Sequence, residues 1–308
     1  MNVFNSLAPI FLIIGLGALL SRIGCLTPPL VAGANAFAYW IALPALLFRE
    51  TATAQVNLAG HWDAFAVLLG GMLVCVAAGY LAAWIIRLPG QDAGTLVQAA
   101  FRGNLAYIGL AVVILSAENG ASDPAALSVL MLAGIVPFYN VVAVIVLLAS
   151  QHRFEWGAVR RVLRQLASNP LIIASVAGAL VMLSSWSLPA VVDRTLRPIA
   201  QTGLPLALLG IGATLHSERI RGGWLPVGTA GLIKVALAPA FGILAGGAIG
   251  LTPDELRIVL IYLACPTAAA SYVMADQLGG NRILAAGCVV FSTLASFVSL
   301  SVILGLVQ

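Results

Sequence analysis

Charge is nearly absent from ten long stretches of this chain, and that limits what it can fold into more than any motif does. The stretches cover roughly residues 4–21, 30–48, 62–86, 94–115, 125–149, 169–188, 197–215, 224–250, 256–277 and 283–307. A helix needs about 20 mostly apolar residues to cross a bilayer. A soluble surface would need roughly a quarter of its residues charged. Here 8% are charged and the mean hydropathy is +1.04. Lipid is therefore the solvent, and the predicted fold class is an all-α integral membrane protein of ten transmembrane helices. The opening segment, MNVFNSLAPIFLIIGLGALLSRIG, lacks the basic start of a cleaved signal peptide and is expected to be the first of these helices, retained.

The ten spans fall into two sets of five that resemble each other. At a constant offset of 161 residues, Pro9 meets Pro170, Gly17-Ala18-Leu19 meets Gly178-Ala179-Leu180, and Leu43-Pro44 meets Leu204-Pro205. Residues 1–150 form the first repeat and residues 169–308 the second. Because each holds an odd number of spans, the second copy is expected to face the opposite way in the membrane. Inverted repeats of this kind characterise secondary transporters, with the substrate site near the bilayer midplane at the repeat interface.

Residues 151–168 lie between the repeats in a basic amphipathic linker suited to the cytoplasmic headgroup layer. The positive-inside rule sets the orientation. Of the 15 basic residues, Arg102 and Lys234 lie inside spans. With the N-terminus outside, nine of the others fall on the cytoplasmic side: Arg22, Arg87, Arg153, Arg160, Arg161, Arg164, Arg219, Arg221 and Arg282. Four fall outside: Arg49, Arg194, Arg197 and Arg257. Both termini are therefore expected outside.

Two spans carry helix-weakening residues at equivalent depth. The fourth holds Arg102-Gly103-Asn104 and the ninth holds Cys265-Pro266-Thr267, with Asn104 and Cys265 related by the same 161-residue offset. Proline removes a backbone donor and crowds the preceding turn. Glycine and asparagine weaken a helix through backbone entropy and side-chain competition. Unwound backbone is tolerated in a bilayer only where it lines a cavity or is buried in protein. Where two broken helices cross, half-helix N-termini can present partial positive charge to an anion. These six residues are the candidate substrate site, with Tyr139 and Asn140 of the fifth span, beside Pro137, as candidate lining of the core. A plain kink at Pro266 and a simple interhelical hydrogen bond from Asn104 are the structural alternatives.

FRGNLAYIGL in the fourth span and LACPTAAASYVMADQLGG in the ninth resemble the bacterial branch of the auxin efflux carrier family, which includes malonate permeases. Ala42-Leu43-Pro44 and Ser292-Thr293-Leu294 extend the resemblance over nearly the whole chain. One departure stands out. Ile108-Gly109-Leu110-Ala111 lacks the proline that usually follows Gly-x, so the fourth-span break rests on Gly103-Asn104. The resemblance implies two inverted five-helix repeats with crossed, broken fourth and ninth helices. Helices one, two, six and seven would form a scaffold, and helices three to five and eight to ten a mobile core. It implies an elevator-like carrier of a small organic anion, a mono- or dicarboxylate, in the bacterial inner membrane. A sodium- or proton-coupled symporter of the bile-acid type and an anion channel are the alternatives. It also allows a homodimer through scaffold helices two and seven.

Lys234 sits inside the eighth span, where an ammonium is costly. It is either a fixed charge standing where a related carrier would hold a coupling cation, or a residue that snorkels to the cytoplasmic headgroups. Asp276 is read as interfacial, or else as a coupling residue. Gly242, Gly246 and Gly250 suggest a close-packing helix face. The four cysteines, Cys25, Cys75, Cys265 and Cys288, follow no disulfide or metal spacing and are expected to be buried packing residues. His61, His152 and His216 fall in predicted loops, so no metal site is expected. There is no phosphate-cradling GxxxxGK[ST] motif, no carboxylate pair within one span and no basic-aromatic pattern for nucleic acid. Neither an enzyme nor a cofactor is expected.

Overall fold

A computed structural model of the chain describes residues 3–53, 60–116, 124–150, 170–184, 188–217 and 223–307, with residues 160, 164, 167 and 168 between them. The 151–168 linker thus lies almost wholly outside the described residues, as do the side chains of Pro137, His152, His216 and Asp276.

All described regular structure is helical. In chain order the helices are α1 (Val3–Arg22), α2 (Pro28–Phe37), α3 (Leu43–Ala52), α4 (Trp62–Ile86), α5 (Gly90–Phe101), α6 (Leu110–Ser116) and α7 (Pro124–Ala149). They continue with α8 (Pro170–Leu183), α9 (Ala190–Ser217), α10 (Trp224–Leu232), α11 (Ala238–Ile249), α12 (Pro253–Ala264), α13 (Ala270–Gln277) and α14 (Arg282–Leu306). Among the described residues, five continuous helical stretches are long and apolar enough to cross a membrane: Pro28–Arg49, Trp62–Ile86, Pro124–Ala149, Trp224–Ile249 and Arg282–Leu306. The other expected spans are shorter, interrupted or more polar. The fourth is divided at residues 102–104 and the ninth at 265–269. The seventh starts earlier than its apolar stretch suggests, so Arg194 and Arg197 lie within α9 rather than in a loop.

The order of elements recurs along the chain. Ala190 opens α9 as Pro28 opens α2 (190 − 28 = 162), and Trp224 follows Trp62 by the same step (224 − 62 = 162). Helices α5 and α12 start 163 residues apart (253 − 90) and have the same length of 12 residues.

Two of the long stretches pass through a widened π-helical turn just before a proline. Ala38–Ala42 precedes Pro44, and Leu43 N–H donates to Ala38 O. Ile233–Leu237 precedes Pro239, and Ala238 N–H donates to Ile233 O. A proline ring clashes with the carbonyl four residues back. The wider turn gives it room, so the helix continues where a strict α-helix would kink.

The chain divides into two compact units. The first contains residues 1–58, 110–137 and 163–217. Here α9 is the central element, with α1 and α2–α3 packed along it. Glycines make these contacts close. Gly17 of α1 lies on the Leu209 backbone, Gly212 lies on the Ile14 carbonyl, and Gly203 lies on Ala42 and Leu43. Small residues let backbones approach where lipid offers no hydrophobic drive between helices. Arg49 and Asp193, 2.7 Å apart, tie the end of α3 to the start of α9. The second unit contains residues 59–109, 138–162 and 218–308. Its apolar centre joins Leu96, Ala99 and Ala100 of α5, Val227 and Ala230 of α10, and Leu284 and Cys288 of α14. Glycines again set the spacing: Gly79 of α4 faces Val97, while Gly242 faces Leu260 and Leu263.

Two expectations need correction. Gly250 does not belong to a packing face. At φ +81 it terminates α11, a left-handed position that favours glycine, while Gly242 and Gly246 do pack closely. Cys25 is exposed, because it follows the left-handed Gly24 in the turn beyond α1, outside the span proper. Cys75, Cys265 and Cys288 are buried.

Candidate functional site

Helix α5 ends at Phe101, and Arg102 takes an extended conformation (φ −77, ψ 95). Helix α12 ends at Ala264, and Cys265 is extended as well (φ −55, ψ 145). The two released segments lie side by side in one antiparallel bridge, Gly103 opposite Thr267. Asn104 N–H donates to Pro266 O at 2.7 Å, and Ala268 N–H donates to Arg102 O at 2.8 Å. These two bonds satisfy main-chain groups that would otherwise be orphaned in an apolar interior. Asn104 O in turn accepts from Ile108 N and Gly109 N, both at 3.1 Å, which opens a π-helical turn over Leu105–Gly109. The chain thus re-enters a helix on the far side of each break, at Leu105 and at Ala270.

Side chains lock the crossing from several directions. Thr267 Oγ1 donates to Ala99 O at 2.8 Å, and Thr267 N–H donates to Ser292 Oγ at 2.9 Å. One threonine therefore joins α5, the α12–α13 break and α14. Gly103 is packed tightly, since a methyl added there would fall 2.9 Å from Leu105 and 3.1 Å from Lys234 Cε. Gly109 is equally confined by Cys265 and Tyr262.

Lys234 is fully buried, 1% exposed, inside the π-turn that precedes Pro239. Its ammonium donates to Leu263 O at 2.5 Å and lies 3.4 Å from Tyr262 O. Those carbonyls belong to the last turn of α12, whose own helix stops before it can supply donors. The C-terminal end of a helix also carries partial negative charge. Lys234 meets both demands at once, and its burial runs against the snorkelling alternative.

Arg102 is 9% exposed and donates through Nη2 to Asn140 Oδ1 at 2.6 Å. Tyr139 is buried, with its ring edge-on to Phe101 at 5.8 Å. The candidate residues Arg102, Gly103, Asn104, Tyr139, Asn140, Lys234, Cys265, Pro266 and Thr267 therefore all sit in the second unit around the paired breaks. Asp276 lies on α13 with its side chain outside the described residues.

Other polar links brace this site and were not singled out in the sequence. Asn281 caps α14 by accepting from Ile283 N and Leu284 N. It also donates through Nδ2 to Asp92 and through its main chain to Thr95 Oγ1, both at 2.8 Å. Its position just before an apolar run was the available signal. At the start of α12, Thr252 and Glu255 form a capping box. Glu255 Oε1 also pairs with His61 Nδ1 at 2.7 Å, which joins the start of α4 to that of α12. Burial pushes the Glu255 carboxyl up, but the hydrogen bonds with His61 and Thr252 outweigh it and hold the group below its ordinary value.

Helices of this length and polarity, with unwound backbone sealed inside a packed unit, define a multi-pass membrane protein. Residues 2–304 match the model of a family described as membrane transport proteins, and the chain belongs to that family, which includes the auxin efflux carriers. It is 24% identical over 304 residues to a protein of Rhizobium meliloti (strain 1021) named "Putative malonate transporter", covering 97% of this chain and 94% of that one. It is 29% identical over 149 residues to "Probable auxin efflux carrier component 5c" of Oryza sativa subsp. japonica, covering 46% of this chain and 40% of that one. Component 5a of the same plant is 28% identical over 147 residues, covering 46% of this chain and 40% of that one. The family is one of transporters rather than enzymes.

Proposed function

We propose that this chain is a secondary transporter that moves a small organic anion, a mono- or dicarboxylate, by alternating access. The observation that carries the reading is the pair of main-chain bonds between residues 102–104 and 266–268, with the buried side chains of Arg102 and Lys234 beside them. On this reading the half-helix termini at the two adjacent breaks, the Asn104 amide, Arg102 and Lys234 together offer donors to an anion. A carboxylate is the ligand class such donors suit. The similarity to a protein named as a malonate transporter supports a short organic acid.

On this reading Arg102, Gly103, Asn104, Cys265, Pro266 and Thr267 meet the substrate, and Tyr139 and Asn140 line the core. The unit that contains them is the mobile body, and the unit built on α9 is the scaffold. The 161-residue sequence offset and the matching element spacing support two inverted repeats, residues 1–150 and 169–308. The arginine distribution supports external termini in a bacterial inner membrane. A homodimer through the scaffold belongs to the same reading. Lys234 already occupies the carbonyl end of α12, which favours a carrier without a cation at that point over a sodium- or proton-coupled symporter.

Uptake of labelled malonate by sealed proteoliposomes is the test. Saturable, concentration-dependent uptake that Pro266→Ala slows, with expression maintained, is the expected outcome. Non-saturating flux would favour a channel instead, and no flux of any mono- or dicarboxylate would end the proposal. Impermeant labelling of a cysteine placed at position 152 from outside intact cells would reverse the orientation.

A further inference from the structure

Helix α4 does not end on a glycine. Arg87 follows its last residue at φ 58 and ψ 45, and it is the one residue other than glycine with a positive φ among the described residues. Glycine is the usual occupant of this left-handed position, because it carries no Cβ. The turn itself is regular. Leu88 N–H donates to Ala83 O at 3.0 Å and Arg87 N–H donates to Trp84 O at 3.1 Å, the paired bonds of a Schellman motif. Leu88 then packs on the apolar centre of the second unit, which anchors the turn. A guanidinium held where glycine would fit with less strain needs an explanation.

A groove of about 830 Å³ opens beside it. Gly79 of α4 faces Val97 of α5, and between that close contact and the turn the small side chains of Ala83 and Ala93 leave space between the two helices. Tyr80 and Trp84, one turn apart on α4, share a helix face, and both line the groove together with Arg87. Trp84 is 76% exposed, and its neighbours Leu81 and Ile85 are exposed as well, so this flank of α4 is one that lipid covers. No carboxylate is paired with Arg87 among the described residues. Asp92, the carboxylate nearest to it along the chain, accepts from Asn281 Nδ2 at 2.8 Å. Ser150, from which the basic 151–168 segment starts, lies against Gly90 and Gly94 at the same end of α5. That segment carries Arg153, Arg160, Arg161 and Arg164 against a single acid, Glu155.

These features select a guest. Tyrosine and tryptophan settle where headgroups meet acyl chains, with the ring in the apolar layer and the polar tip at its edge. A guanidinium offers a planar fork of donors that matches phosphate oxygens. We propose that the groove between the ends of α4 and α5 binds an anionic phospholipid, with the phosphate on Arg87 and the start of an acyl chain along Tyr80 and Trp84. A zwitterionic headgroup is disfavoured, because its ammonium would bring a further positive charge beside Arg87 and the start of the basic segment. A soluble anion is disfavoured for a different reason, since it would leave the apolar walls unfilled.

The test uses the purified protein in phosphatidylcholine bilayers, titrated with phosphatidylglycerol or phosphatidylcholine whose acyl chains are brominated near the headgroup. Bromine quenches nearby indoles, and the part of the quenching that Trp84→Phe removes reports the groove. Brominated phosphatidylglycerol should quench that part at about fivefold lower mole fraction than brominated phosphatidylcholine, the gain from one arginine near an anionic headgroup. Arg87→Gly should bring the two lipids within about twofold of each other. Glycine suits the turn, so the fold should be kept. Equal quenching by the two lipids in the wild type would overturn the proposal. So would a preference that survives Arg87→Gly, which would then belong to the basic segment. Displacement of the brominated phosphatidylglycerol by millimolar glycerol phosphate would assign the groove to a soluble anion and overturn it equally. Should Arg87→Gly not give a monodisperse protein, Arg87→Asn, which also tolerates the left-handed region, gives the same readout.

Discussion

At Pro266 the chain leaves its helix with a residue that has no N–H to offer, and at Gly103 it leaves with one that has no side chain. The two segments nevertheless pair as neighbours, each supplying one donor and one acceptor to the other. The proline break is partly written into its covalent structure, because any helix through Pro266 must lose a bond and relieve a clash. The glycine break has no such compulsion. Glycine disfavours the helix interior by about 1 kcal/mol relative to alanine, which weakens a helix without breaking it. What holds residues 102–104 extended is tertiary: the bond from Asn104 to Pro266, the bond from Ala268 to Arg102, and the crowding of Gly103 by Leu105 and Lys234. One break is intrinsic, and the other depends on the first.

Experiments can separate the two. The largest expected effect is on binding. Asn104→Ala should weaken a carboxylate ligand by about 10- to 100-fold, or 1.5–3 kcal/mol, with little change in melting temperature, as titration and thermal melts would read. A large fall in stability without a change in affinity would make Asn104 a brace for its break rather than a ligand group. Next comes Lys234→Met. It removes the donor from the carbonyls of Tyr262 and Leu263, and stability should fall by about 1–3 kcal/mol, the cost of leaving buried acceptors unmet. An unchanged melt would mean the proline break stands without its ammonium. Thr267→Val keeps the shape and deletes the bond to Ala99 O, so a loss of about 1 kcal/mol is expected. Hydrogen exchange should then quicken first at residues 102–104, if the glycine break is the dependent one.

The smallest effect is at the far end of α12. The Glu255 carboxyl is held below its ordinary value, so its contribution is present above the usual glutamate pKa of about 4.3 and is lost as pH falls through the lower, folded value. Melts between neutral and acid pH should show a slightly steeper decline for the wild type than for Glu255→Gln. Equal slopes would show that the contact with His61 adds nothing to stability.

The membrane class, the approximate spans and the weakening residues could be read from the sequence, because each is local. Gly103-Asn104 and Pro266 stand at the ends of α5 and α12 without reference to anything distant. The role of Lys234 could not be read, because it depends on where the last turn of α12, nearly 30 residues away, presents the carbonyls of Tyr262 and Leu263. The start of α9 was misplaced because Asp193, Arg194 and Arg197 look like loop residues, yet Asp193 belongs to the first turn and is held by Arg49.

The bonds between the breaks also bear on how the protein is made. Asn104 leaves the ribosome 162 residues before Pro266 (266 − 104 = 162). At about 5–20 residues per second, its partner arrives roughly 8–30 s later. Until then the fourth span is in the bilayer, or waiting at the translocon, without the partners that Asn104 N–H and Arg102 O have in the folded protein. A chain truncated before α12 should therefore insert its fourth span poorly, or as a straight helix that must reopen. The first half of this protein cannot be finished until the second half has been synthesised.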